Sequence, residues 1–273
     1  MERWETEGFM PEREAVAAAG RRLLAEGLAA RTWGNVSCRT GEASFVITPS
    51  GLSYERMRPE DVVPFDMRTG SWTGARQPSS EKGVHTAAYR RFPEAGFVVH
   101  THQCFATAIG LAGFERLALS PEENEALGGV ALAAYALPGS KKLQRRVESA
   151  LASGAHCLLM AHHGALIAGR DAPEAFRRAL LLETAARRAC MGQPRDGDEA
   201  ASGAGAALLA GARARFGHAA LADTPAVLAA ARLGAFRAEL DDMAQMIGPR
   251  LAAARAETAL RLLERHAAVL VPG

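Results

Sequence analysis

The run GFVVHTHQ, residues 96–103, constrains the fold more than any other stretch of the chain. Its apolar, β-branched first half reads as a strand, and two histidines close it. In a strand, residues i and i+2 share a face, about 6.6 Å apart at a rise of about 3.3 Å per residue. His100 and His102 can therefore converge on one ion. A second apolar run, LLMAHHGALIAG, carries His162-His163 and then a glycine. Adjacent strand residues point to opposite faces, so one member of that pair reaches the same point. Three histidines with an open position are the pattern of a catalytic rather than a structural zinc.

PSSEKGVH, residues 78–85, reads as a helix start. Ser79 and Ser80 fall at the helix N-terminus, where the dipole and free N–H groups favour an anion. Glu81 falls in the first turn. A carboxylate there commonly compensates the dipole; beside a divalent metal it can instead ligate, swing away and act as a general base. His85 follows Glu81 by four residues on the same face. EKGVH is not the H-E-x-x-H of metalloproteases, so His85 reads as a residue packed behind the site rather than a ligand. TWGNVS and TPSG share with PSSE the small polar side chains and turns that let backbone N–H groups approach an anion.

Helical spacing runs over residues 11–29, with Pro11 in a first-turn position. GNVSCRT and SFVITPSG read as strands joined at Gly41, and DVVPFDMRTGSW as a strand entering a hairpin at Thr69-Gly70. Residues 80–92 return to helical spacing. VALAAYAL reads as a strand, SKKLQRRVESALAS as a helix capped by Ser140, HCLLMAHHGALIAG as a strand pair, and residues 172–192 as an amphipathic helix. Composition shifts at residues 194–207, a linker. Alanine- and arginine-rich helical spacing follows over 208–271. The division is thus a domain over 1–194 and a helical extension over 195–273, packed on or near the active site.

The charge of +2 gives no argument for nucleic acid or a membrane surface, and no apolar run is long enough to span a bilayer. Cys38, Cys104, Cys157 and Cys190 lack C-x-x-C spacing and read as reduced thiols of a cytoplasmic protein. The N-terminal stretch MERWETEGFMPERE is too charged for a signal peptide. Lys82, Lys141 and Lys142 are the three lysines, none in an apolar run that would favour Schiff-base chemistry.

In order, GNVS, ITPSG, PSSE, VVHTHQ, AYALPGS and HHGALIAG resemble the class II aldolase/adducin family over roughly residues 12–192. The resemblance implies an α/β fold, a largely antiparallel central sheet flanked by helices. It makes His100, His102 and His163 the metal ligands and Glu81 the acid/base. It makes Thr32, Gly34, Asn35, Ser50, Gly51, Ser79 and Ser80 a phosphate cradle. Tyr135 matches a catalytic tyrosine that reaches the active site of a neighbouring subunit in a homotetramer. The implied cofactor is Zn2+, or another divalent metal such as Mn2+, Fe2+ or Co2+. Trp33 stands where the family usually has a small residue, and residues 195–273 extend beyond the short sugar-phosphate aldolases.

The implied activity is that of a metal-dependent lyase. It would cleave or form a C–C bond in a small phosphorylated ketose through a metal-stabilised enediolate. Epimerisation of a sugar phosphate could use the same retro-aldol step, but the epimerases carry aspartate at the position of Glu81. A decarboxylase of a small hydroxy, keto or aromatic acid is the other enzymatic alternative. A non-catalytic adducin-like module ranks below these, because all three histidines and the glutamate are present.

Overall fold

The computed structural model describes residues 8–29, 32–112 and 117–190. The linker and helical extension expected over 194–273 lie outside the described residues. Seven strands form one sheet: β1 (Asn35–Gly41), β2 (Ser44–Ile47), β3 (Val63–Asp66), β4 (Phe97–Thr101), β5 (Val130–Ala133), β6 (Cys157–Met160) and β7 (Gly164–Gly169), in the order β3-β2-β1-β4-β7-β6-β5. Every neighbouring pair is antiparallel except β5 and β6. The expected largely antiparallel α/β architecture is borne out.

Among the described residues, six α-helices flank the sheet: α1 (Met10–Ala25), α2 (Lys82–Arg91), α3 (Cys104–Ala112), α4 (Pro121–Leu127), α5 (Lys141–Leu151) and α6 (Ala172–Cys190). Alternation along the strands divides the core in two. Phe97 and Val99 of β4 pack with Val16 and Leu23 of α1, Ile109 of α3 and Phe176 of α6. Val98 between them points the other way, to Val84 and Ala88 of α2 and Leu143 and Val147 of α5. By the same alternation His100 belongs to the α2 side. Strand β4 lies between β1 and β7, with His100 opposite Asn35 on one side and Leu166 on the other. The histidine strand is therefore central, which fixes the backbone of its histidine end firmly.

Several boundaries differ from the sequence expectation. Helix α1 stops at Ala25, and β5 ends at Ala133, leaving Tyr135 in the loop beyond it. Helices α3 and α4 occupy the stretch between β4 and β5, where no element was expected. Ser140 caps α5 as expected, accepting from the Leu143 N–H at 3.1 Å. Among the described residues, no helix is long and apolar enough to cross a membrane.

Candidate metal centre and active site

Helix α2 begins at Lys82, so Glu81 occupies the N-cap position rather than the first turn. Its side chain makes no capping hydrogen bond to the helix. Ser79 takes that part, its Oγ accepting from the Glu81 N–H at 3.2 Å. The Glu81 carboxylate turns inward instead. Oε2 lies 2.9 Å from His100 Nε2, and Oε1 lies 3.0 Å from His163 Nε2. The simple dipole-compensation role is not what this geometry shows.

His102 joins the same point. One ligand atom each from Glu81, His100, His102 and His163 gives a set lying within 4.8 Å of one another. Each histidine has a separate local cause. His100 is fully buried on β4, and its Nδ1 donates to the Ala165 carbonyl of β7 at 2.8 Å, which turns Nε2 toward the cluster. This is the usual way a second contact fixes the tautomer of a ligating histidine. His102 follows the end of β4, its backbone N–H held by the Leu28 carbonyl at 2.9 Å. His163 lies in the tight turn between β6 and β7, not on a strand.

That turn selects between the two neighbouring histidines. His162 adopts a left-handed φ of 53°. His163 enters the cluster, while the His162 ring faces Tyr135 with centroids 5.9 Å apart. Only one of the pair reaches the site, as strand alternation predicts, but the cause is the turn. Gly164 follows because the backbone needs the room. A Cβ there would collide with the Thr101 carbonyl oxygen and come within 3.3 Å of His100 Cε1.

The electrostatics are those of a cation site. Burial pushes the Glu81 carboxyl up, but the His163 and His100 rings outweigh it and hold the group well below the usual carboxylate range. Burial lowers the His100 ring, and the adjacent Glu81 carboxylate reverses that and raises it. Desolvation, then His100 and His163, hold His102 well below the ordinary histidine value, so it is neutral. The Nε2 atoms of His100 and His102 meet at 3.0 Å. With His100 Nδ1 committed to Ala165, lone pairs from both rings and from Glu81 converge on one point. A shared proton or a metal ion resolves that repulsion. Three imidazoles and one carboxylate form a donor set that suits Zn2+ and its divalent neighbours.

The three stretches expected to approach an anion are laced together behind Glu81. Ser79 N–H donates to Thr48 O and Ser50 N–H to Gln77 O, each at 3.0 Å, which joins TPSG to PSSE. Thr48 N–H donates to Val36 O at 3.0 Å, and Tyr54 Oη donates to Gly34 O at 2.6 Å, which ties in TWGNVS. Gly34 has a φ of 83°, and a Cβ on it would lie 2.7 Å from the His100 carbonyl oxygen. Thr32, Ser50, Gly51 and Ser80 are exposed, whereas Asn35 and Ser79 are buried. The Asn35 side chain is engaged, donating from Nδ2 to Glu81 Oε2 at 3.1 Å. Trp33 is half-buried with its ring 6.0 Å from that of His102. The loop carrying Gly139 closes on Ser80, where a Cβ on the glycine would meet Ser80 Cβ at 3.2 Å.

Residues 14–190 match the family model for the Class II Aldolase and Adducin N-terminal domain, and the chain belongs to that family. It is 35% identical over 181 residues to a 5-methylthioribulose-1-phosphate/5-deoxyribulose-1-phosphate aldolase of Rhodospirillum rubrum, covering 64% of this chain and 79% of the relative. An L-ribulose-5-phosphate 4-epimerase of Salmonella typhi is 34% identical over 192 residues, 65% of this chain and 83% of the epimerase. A solved L-fuculose 1-phosphate aldolase superposes with a TM-score of 0.62 at 28% identity, over 68% of this chain and 89% of that one. The family expected from the motifs is thereby shown, and the aldolase reading agrees with it.

Proposed function

We propose that this chain is a divalent-metal-dependent aldolase that cleaves or forms a C–C bond in a small phosphorylated ketose. The observation that carries the reading is the position of Glu81. A buried carboxylate beside three imidazoles, making no capping bond to α2, supports a role in proton transfer at a metal centre. His100, His102 and His163 would hold the ion, with Glu81 as an additional ligand that can leave. When bound, such an ion supplies positive charge where negative charge develops on substrate oxygens, the kind of stabilisation that lowers the barrier to C–C cleavage.

The chain's own groups do the rest. Glu81, kept ionised by its surroundings, accepts a proton from the substrate and returns one to carbon after cleavage. Thr32, Gly34, Asn35, Ser50, Gly51, Ser79 and Ser80 are assigned to the substrate phosphate. The exposed hydroxyls of Thr32, Ser50 and Ser80 are open to an anion, and one N–H of the Asn35 amide remains beyond the one spent on Glu81. Tyr135 is assigned to the hydroxyl on the aldehyde side, acting in a neighbouring subunit of a homotetramer whose active sites lie between subunits. Zn2+ is the proposed ion and the cytoplasm the proposed compartment.

The test is turnover by metal-loaded protein on a panel of ketose 1-phosphates, with products identified. The expected result is one C–C cleavage giving a ketone phosphate and an aldehyde. A second reading, 4-epimerisation at the same site, is favoured by the similarity to the Salmonella epimerase. An epimeric pentulose 5-phosphate as sole product would select it. Decarboxylation of a carboxylated substrate with no cleavage of any sugar phosphate would overturn both.

A further inference from the structure

A chain of polar groups runs from Glu81 through the core between β1 and α2. Asn35 Nδ2 donates to Glu81 Oε2 at 3.1 Å, and Asn35 Oδ1 lies 2.5 Å from His85 Nε2. His85 Nδ1 lies 2.6 Å from Ser37 Oγ, which lies 2.9 Å from Tyr89 Oη. All five residues are buried, His85 and Ser37 completely. The arrangement follows from two periodicities. Asn35 and Ser37 are i and i+2 on a strand, and His85 and Tyr89 are i and i+4 on a helix, so each pair shares a face. The surroundings are apolar: the Phe45 ring lies 5.2 Å from the Tyr89 ring and 6.3 Å from His85.

The direction of every bond is forced from one end. An ionised carboxylate only accepts, so Asn35 must present its amide N–H to Glu81. Its Oδ1 then faces His85, so the proton of that ring sits on Nε2. His85 Nδ1 is left as an acceptor, the Ser37 hydroxyl donates to it, and the Tyr89 hydroxyl donates to Ser37. Burial holds the His85 ring down at about 3, so it stays neutral with one donor and one acceptor. If the proton moved to Nδ1, the amide would turn over and set its oxygen against Glu81 Oε2.

We propose that His85 and Ser37 are positioning residues: with Tyr89 behind them, they fix the Asn35 amide and so hold the Glu81 carboxylate in its working pose. This rests on the proton-carrying role proposed for Glu81. Satisfied buried networks of this kind specify a single arrangement, whereas an apolar pair would fill the same space without orienting anything.

Ser37→Ala tests the relay, because it removes the donor to His85 Nδ1 and leaves Asn35, Glu81 and the histidine ligands in place. Nitrogen NMR of Zn2+-loaded protein with labelled histidine reads the tautomer directly. Both proteins are expected to carry the His85 proton on Nε2, because Asn35 keeps it there, and the Nδ1 resonance of the variant should move to that of an imidazole nitrogen with no donor. On a ketose 1-phosphate that the wild type cleaves, kcat should fall about 10–100-fold, the scale of a misplaced catalytic group. Zn2+ content should be unchanged, and Ser37→Thr should restore most of the rate. A wild-type His85 proton on Nδ1, an unmoved Nδ1 resonance, or a moved resonance with unaltered kcat would overturn the proposal. If the wild type cleaves no ketose phosphate, the aldolase reading fails, and the Nδ1 comparison still decides the relay. Should Ser37→Ala not fold, His85→Gln and His85→Leu replace it. Only glutamine can donate to Asn35 Oδ1, so its kcat should exceed that of the leucine variant about tenfold or more, and equal rates would overturn the relay.

Discussion

Glu81 and the three histidines meet at one point, and the protonation of Glu81, His100 and His102 is set by their neighbours there and by burial. Replacing His102 by alanine removes one nitrogen while leaving His100 anchored on Ala165 and Glu81 anchored on Asn35. Elemental analysis should therefore find about one divalent ion per wild-type chain and far less in His102→Ala. Equal, substantial metal in both would show that these residues do not form the site. His85 carries a different prediction. Its ring is held at about 3 against an ordinary value of 6.5, with burial the largest cause and His100 adding to it. The unfolded chain takes up a proton below about 6.5 that the native state refuses down to about 3. Its contribution to stability is thus full above that window and is lost as pH falls through it, at up to about 1.4 kcal/mol per pH unit. Denaturation of metal-free protein across that window should show a shallower acid limb for His85→Gln than for the wild type.

At the scale of elements, two neighbours decide where the ligands sit. Helix α3 begins directly after the His102 loop, and its first N–H groups are capped from a distance. Glu183 of α6 accepts from Phe105 N–H at 2.8 Å and Ala106 N–H at 3.0 Å. Glu183→Ala should cost about 1–3 kcal/mol, the scale of buried donors left unpaired. It should also weaken Zn2+ binding by loosening the segment that follows His102. Denaturant titration and metal affinity measured together check it, and an unchanged affinity would separate α3 from the site. The same contact explains why α3 was not legible in the sequence. CFATAIGLA has neither a local cap nor a polar face, because its cap comes from a residue 78 positions away. Helix α4 is a different case. Ser120 and Glu123 form a capping box, with Pro121 opening the helix, that is written in the local sequence, and the short length of the helix hid it. The β6–β7 turn is the second controlling neighbour. Gly164→Ala would push the chain off Thr101, so His163 should move and metal content fall, while α5 and β5 keep their places.

Across the whole molecule, local patterns and long-range pairing were legible to different degrees. The strand that carries His100, the strand pair around His163 and the Ser140 cap rest on periodicity or short motifs and hold in the structure, with His102 just past the end of β4, whereas the antiparallel character followed from the family resemblance. The meeting of Asn35 and Ser37 with His85 and Tyr89 does not show in any local pattern. It needs the pairing of β1 with β4 and the docking of α2, which bring together residues about 50 apart. Parallel pairing of β5 with β6 was hidden for the same reason. Because ligands from α2's entrance, β4 and the β6–β7 turn meet at one point, a bound ion crosslinks the native sheet and has no such site in the unfolded chain. Thermal stability should therefore rise with Zn2+, by about 2.7 kcal/mol at a hundredfold excess over Kd, and fall on chelation. The most direct test of the account is proton exchange at carbon. Metal-loaded wild type should incorporate deuterium from solvent into dihydroxyacetone phosphate, or the matching ketone half, with no aldehyde present. In Glu81→Gln that exchange should fall by about 10²–10⁴-fold while the metal stays bound by three histidines. Near-normal exchange in a metal-replete Glu81→Gln protein would contradict the account, because the carboxylate at the centre of the cluster would then not be the proton carrier.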